Sequence, residues 1–198
     1  MIPPSLDQTL NFIDLLQKFR AIERRTLVKD SDRRESDAEH SFSLAMLTWY
    51  VNETYGLNLD TNKLLKYALA HDLVELYSGD TFFYDKQDIK DGQEKREEEA
   101  AHILRENCPE FPELHEIIQR YTKQDDAESR FIYALDKIEP MMNGYQDNGR
   151  MWRKEGISLE MIRTMKTPKV AGDITVKKIF EELIARMKDR ENELFNNK

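Results

Sequence analysis

A chain of 198 residues, 39% hydrophobic and 34% charged, has the balance of a soluble globular protein and the length for one substantial core. Its net charge of −8 argues against a nonspecific grip on a nucleic-acid backbone, while leaving room for a local Lys/Arg cluster around a small anion. Cys108 is the one cysteine, which excludes a disulfide framework and a thiolate zinc site.

Met1-Ile2-Pro3-Pro4 lacks the basic start and apolar core of a signal peptide, and no apolar stretch is long enough to span a bilayer. The expectation is a cytoplasmic protein with no membrane partner. With 7 Gly, 6 Pro and abundant Glu, Lys, Leu and Ala, the composition predicts an all-α fold, read as one domain over residues 1–198.

Residues 7–21 predict a first amphipathic helix, with Leu10, Ile13, Leu16 and Phe19 on its apolar stripe. A polar, arginine-rich connection follows to residue 37. Ser36 or Asp37 then caps a second helix with Glu39 in its first turn, and that helix carries Phe42, Ala45, Met46 and Trp49 toward Gly56. Asp60 or Thr61 caps a third helix, predicted to run unbroken to Ser78-Gly79. Residues 81–92 read as a loop long enough to be a lid or a substrate-facing segment. Helices are then expected over residues 93–106, from Pro112 to near Tyr121, and over 127–142 with Phe131, Leu135, Ile138 and Met142 inward. One or two short helices fall within residues 143–173, and a last helix over 174–194 buries Val176, Phe180, Leu183 and Met187.

The third helix carries the chemistry. His71 and Asp72 interrupt the nearly all-apolar run from Tyr67 to Leu76, with Glu75 one turn on. At about 100° per residue, all three project from one narrow face. Burying an imidazole beside a carboxylate is costly unless they are paired or bound to metal. Partners follow by elimination. Of four histidines, His102 and His115 fall in charged, surface-type helices, whereas His40 directly precedes apolar residues. Asp136 likewise interrupts the core-type run Phe131-Ile132-Tyr133-Ala134-Leu135. Two imidazoles and two carboxylates suit a divalent cation with open positions, such as Mn, Co, Mg, Zn, Fe or Ni.

The ordered pattern His40…His71-Asp72…Asp136 resembles the HD-domain metal-dependent phosphohydrolases. Ser36-Asp37-Ala38-Glu39-His40-Ser41, His71-Asp72-x-x-Glu75-x-x-x-Gly79-Asp80 and Arg96-Glu97-Glu98-Glu99-Ala100 are similar to the 5′-deoxynucleotidase branch. The resemblance spans about residues 12–142, leaving C-terminal helices over 143–198 to pack on that core. It implies a helical bundle, commonly a homodimer, with one divalent cation on His40, His71, Asp72 and Asp136. The implied reaction removes phosphate from (deoxy)nucleoside 5′-monophosphates. Glu75 would position or deprotonate the water, Asp80 would serve the leaving oxygen, and Arg25 would contact the substrate phosphate.

One position departs from the pattern. Thr26 stands where some members carry a tryptophan beside the sugar, so either Arg24 is the true contact or sugar discrimination is built differently. Two alternatives stay open: a relative acting on cyclic or longer nucleotides or a non-nucleotide phosphate, and a metal-stabilised nucleotide-binding module without turnover. Lys137, next to Asp136, reads first as a surface ion pair and second as a phosphate contact. Glu99-x-x-His102 has no second copy, so half a di-iron site is not a whole one.

Overall fold

The computed structural model describes residues 3–79 and 93–196. Helix α1 (Leu6–Phe19) is opened by a capping box in which Ser5 and Gln8 exchange side-chain and backbone hydrogen bonds. Its buried positions are Leu15 and Phe19, while Leu10 and Ile13 face out, so the apolar stripe is rotated from the expected one.

The polar connection is a hairpin. Strand β1 (Glu23–Leu27) pairs antiparallel with β2 (Arg34–Ser36), with Asp30 in left-handed backbone at the turn. The strand signal was masked because β1 directs charged residues inward as well as outward.

Helix α2 (Asp37–Tyr55) starts at a second capping box, Ser36 with Glu39, and ends on Gly56 at φ +61°. Its buried face is His40, Ser41, Leu44, Ala45, Thr48, Val51 and Asn52. Of the apolar residues this helix carries, Phe42, Met46 and Trp49 point outward and Ala45 is buried.

Helix α3 (Thr61–Ala70) stops sooner than expected, and α4 (Glu75–Ser78) is separate from it. Between them the backbone tightens: Leu73 N bonds Ala70 O at 3.2 Å and Glu75 N bonds Asp72 O at 2.9 Å, each three residues back. Even-turn helical arithmetic therefore fails at His71 and Asp72, which sit on a sharper corner.

Beyond the undescribed residues come α5 (Gln93–Asn107), α6 (Pro112–Lys123) and α7 (Ala127–Gln146), the last capped by Asp126. Then follow α8 (Arg150–Glu155), α9 (Leu159–Val170), α10 (Ile174–Asp189) and α11 (Glu191–Phe195). α10 buries the four expected residues, Val176, Phe180, Leu183 and Met187. Helix α7 is central: α2, α3, α6, α9, α10 and β1 all pack on it. Phe131, Ile132, Leu135 and Ile138 are fully buried there, each contributing about 1.5–3 kcal/mol of transfer free energy.

The C-terminal end clasps this core. A Cβ at Gly149 would lie 2.1 Å from the Leu194 carbonyl oxygen, so only glycine allows that approach. Trp152 stacks on Phe195 with ring centroids 5.0 Å apart, and Gly144 leaves the space its indole fills.

Candidate active site

Three elements meet at the site: the first turn of α2, the corner after α3, and the middle of α7. His40, at 0% exposure, places Nε2 3.1 Å from Asp136 Oδ1 and 3.8 Å from Asp72 Oδ2. His71 Nε2 lies 3.1 Å from Asp72 Oδ2 and 3.7 Å from Asp136 Oδ1. The structure thus brings together the four residues singled out in the sequence.

Tautomers follow from the outer contacts. His71 Nδ1 lies 3.0 Å from the Ala68 carbonyl, which can only accept, so Nδ1 carries a proton and Nε2 is the nitrogen turned inward to the carboxylates. On His40, Nδ1 lies 3.1 Å from Glu139 Oε2, and Asn143 donates to the other Glu139 oxygen at 2.7 Å. A carboxylate behind one imidazole and a carbonyl behind the other is how metal-binding histidines are oriented. His71 Nε2 is buried without a well-directed hydrogen bond in the chain, despite the nearby carboxylates. The donor set fits a divalent ion.

Charge at the site is tightly balanced. Burial and Arg24 oppose a protonated His40, but Asp136 and Glu139 outweigh them and raise its pKa to about 10. The site welcomes positive charge between the two imidazoles, and a metal ion can supply it. Asp72 is held well below the usual carboxylate range: burial opposes this, and His71 and Arg24 overcome it. Tyr121 donates to Asp136 Oδ2 at 3.1 Å, and Lys137 reaches the same oxygen at 2.6 Å. Lys137 is therefore part of the site rather than a surface ion pair.

The two arginines of β1 diverge. Arg24 reaches Asp72 Oδ2 at 3.0 Å and the fully buried Asp37 at 3.1 Å, with Glu35 at 3.9 Å. Arg25 is more exposed and lies 3.8 Å from Glu155. Both line a cleft of about 950 Å³ with Thr26, His71, Asp72, Glu75 and Asp136. Glu75 offers a carboxylate oxygen within 4.8 Å of Asp72 and Asp37 oxygens. Asp80 and the 81–92 segment lie outside the described residues.

His102 is exposed as expected, but His115 is buried, its Nε2 2.9 Å from the Cys108 carbonyl. Sequence reasoning missed Glu139, Asp37, Glu35, Tyr121 and Lys166. Glu139 carried the same signal as Asp136, a charge inside a core-type helix, one turn later.

The family model described as HD domain matches residues 16–179. The chain belongs to the HD-domain family. Human 5′-deoxynucleotidase HDDC2 is 28% identical over 143 residues, covering 70% of this chain and 68% of that protein. Saccharomyces cerevisiae 5′-deoxynucleotidase YGK1 is 28% identical over 177 residues, covering 84% and 80%. A crystal structure from Magnetospirillum magnetotacticum, titled a predicted metal-dependent phosphohydrolase, superposes with a TM-score of 0.79 at 28% identity, covering 93% of this chain and 96% of the other. The helical HD fold is the common ground of this chain and that neighbour, and His40, His71 and Asp72 form a group here that could hold a metal ion.

Proposed function

We infer that this HD-domain chain is a metal-dependent phosphomonoester hydrolase, converting (deoxy)nucleoside 5′-monophosphates to nucleoside and phosphate. The observation that carries the reading is the convergence of His40 Nε2 and His71 Nε2 on the carboxylates of Asp72 and Asp136, beside Glu75 in one cleft. The deoxynucleotidase names of the human and yeast relatives support the substrate class.

His40, His71, Asp72 and Asp136 would hold the ion, which when bound polarises a phosphoryl oxygen and lowers the pKa of water. Glu75 aims the attacking water and takes its proton as the new P–O bond forms. Asp80 is assigned, from the family resemblance, the proton delivered to the 5′-oxygen as the P–O5′ bond breaks. Arg25, on the cleft wall, carries phosphate charge, and Arg24 holds Asp72 in place through a short ion pair.

The assembly is proposed as a cytoplasmic homodimer. Phe42, Met46 and Trp49 recur along the outward face of α2 at helical spacing, a self-complementary apolar stripe suited to a second copy. Sedimentation that finds only monomer in the unsubstituted chain would remove this part of the reading. Among the described residues no helix is long and apolar enough to cross a membrane.

The activity is tested by phosphate release from deoxy- and ribonucleoside 5′-monophosphates, using EDTA-stripped protein reloaded with Mn²⁺, Co²⁺ or Mg²⁺. Release that needs metal and disappears in His71→Ala and Asp72→Ala is expected. Folded, metal-loaded protein that releases nothing overturns the reading, and the deoxy-to-ribo ratio settles what Thr26 does.

A further inference from the structure

Asp136 offers its two oxygens unequally. Oδ1 faces the imidazoles, 3.1 Å from His40 Nε2 and 3.7 Å from His71 Nε2. Oδ2 instead accepts from the Tyr121 hydroxyl at 3.1 Å and from the Lys137 ammonium at 2.6 Å. A carboxylate oxygen has about two lone-pair sites, so these two donors fill Oδ2. Asp72 also turns one oxygen to the imidazoles: its Oδ2 lies 3.1 Å from His71 Nε2 and 3.8 Å from His40 Nε2.

The two donors on Oδ2 are themselves held. Tyr121 is buried, with its ring edge-on to His71 at a centroid distance of 5.2 Å. Its hydroxyl and its ring therefore touch two different members of the metal site. Tyr121 comes from α6, which supplies none of His40, His71, Asp72 and Asp136. Lys137 Nζ lies 5.2 Å from the centroid of the Tyr133 ring, and that ring lies 6.2 Å from the ring of Tyr121. An aromatic pair thus backs both groups that meet Oδ2.

The number of donors decides what else can bind. A cation such as Mg²⁺ or Mn²⁺ takes about six ligand atoms. Two imidazole nitrogens and one oxygen from each carboxylate leave about two positions, enough for a water and a phosphoryl oxygen together. A carboxylate that chelates through both oxygens removes one of them. We propose that Tyr121 and Lys137 are positioning residues that restrict Asp136 to ligation through Oδ1, and so keep a coordination position open for substrate. The inference rests on the metal-dependent hydrolase reading and deepens it by naming what keeps the site from closing on its own ion.

The test is water-proton relaxation of the metal-stripped protein reloaded with one equivalent of Mn²⁺, without substrate, which counts exchangeable waters on the bound ion. Tyr121→Phe keeps the ring against His71 and removes only the hydroxyl, and Lys137→Met keeps the aliphatic stem and removes the ammonium. In the double variant Oδ2 is released, so the relaxivity per bound Mn²⁺ should fall about twofold as one of about two waters is displaced. Mn²⁺ affinity, read by chelator competition, should hold or rise. Each single variant keeps one donor on Oδ2 and is expected to fall less than the double. Residues that merely pack would lower the melting temperature and leave the relaxivity per bound ion where it was. Unchanged relaxivity in the folded double variant, or loss of Mn²⁺ from it, overturns the proposal, as does an unsubstituted chain that binds no Mn²⁺. If the double variant does not fold, Lys137→Met decides alone, because its side chain is partly exposed, and unchanged relaxivity there overturns the proposal too. Failure of the hydrolase reading would show instead as no ester cleavage, with Mn²⁺ held and this relaxivity pattern intact.

Discussion

Glu139 Oε2 lies 3.1 Å from His40 Nδ1, one helical turn beyond Asp136, whose carboxylate meets the opposite nitrogen of the same ring. One helix thus fixes the orientation of an imidazole supplied by another. Glu139→Gln keeps the side chain's size but removes the charge behind His40. Metal affinity, read by competition with a chromophoric chelator, should fall about 10–100-fold. An unchanged affinity would reduce Glu139 to a packing residue.

Glu75 lines the cleft within 4.8 Å of Asp72 and Asp37 oxygens, outside the group formed by His40, His71 and Asp72. Glu75→Gln should therefore retain metal and melting temperature while losing about 10²–10⁴-fold in kcat. Loss of bound metal from this variant would instead make Glu75 a ligand.

Arg24 and Arg25 should separate by phenotype. Arg24→Met takes the ion-pair partner at 3.1 Å from the fully buried Asp37 and the one at 3.0 Å from Asp72, and removing one partner of a buried pair costs about 3–5 kcal/mol. Its main signature is a lower unfolding midpoint. Arg25→Met removes a more exposed guanidinium, 3.8 Å from Glu155, so stability should hold while KM for a 5′-monophosphate rises. Reversed phenotypes would exchange the two assignments.

Glu35 is expected to make stability depend on pH. Burial first, and Glu139 next, raise its pKa from 4.5 to about 7, against the pull of His40 and Arg24. The folded state keeps a proton that the unfolded chain releases, so stability falls as pH rises from about 4.5 to 7 and stays reduced above. Glu35→Gln should gain on the unsubstituted protein by roughly 3 kcal/mol or less at pH 8, and by nothing near pH 4.5. Denaturant midpoints for both proteins at the two pH values check the sign, and a pH-independent difference would contradict it.

The sequence was most legible where a charge sat against an apolar background. His71, Asp72 and Asp136 stood out because a buried helix has no ordinary use for them, and all three reach one point with His40. Local pattern was weaker where two environments shared one element. Helix α2 is apolar toward the core and again on its outer face, so Phe42, Met46 and Trp49 do not mark which face is buried. Strand β1 hid because Arg24 turns inward to carboxylates rather than to aliphatic side chains. The break after Ala70 was invisible for a different reason. No glycine or proline marks it, and the tightening lies in the backbone bonds of residues 71–75.

The family match ends at residue 179, yet Phe195 stacks on Trp152, which itself lines the cleft. Part of the cleft wall is thus shored up by a buttress beyond the residues of the family match. Relatives that keep the same motif but end in different final turns can present different cleft contours. The shape of this cleft is open to retuning from the last helix, without touching His40, His71, Asp72 or Asp136.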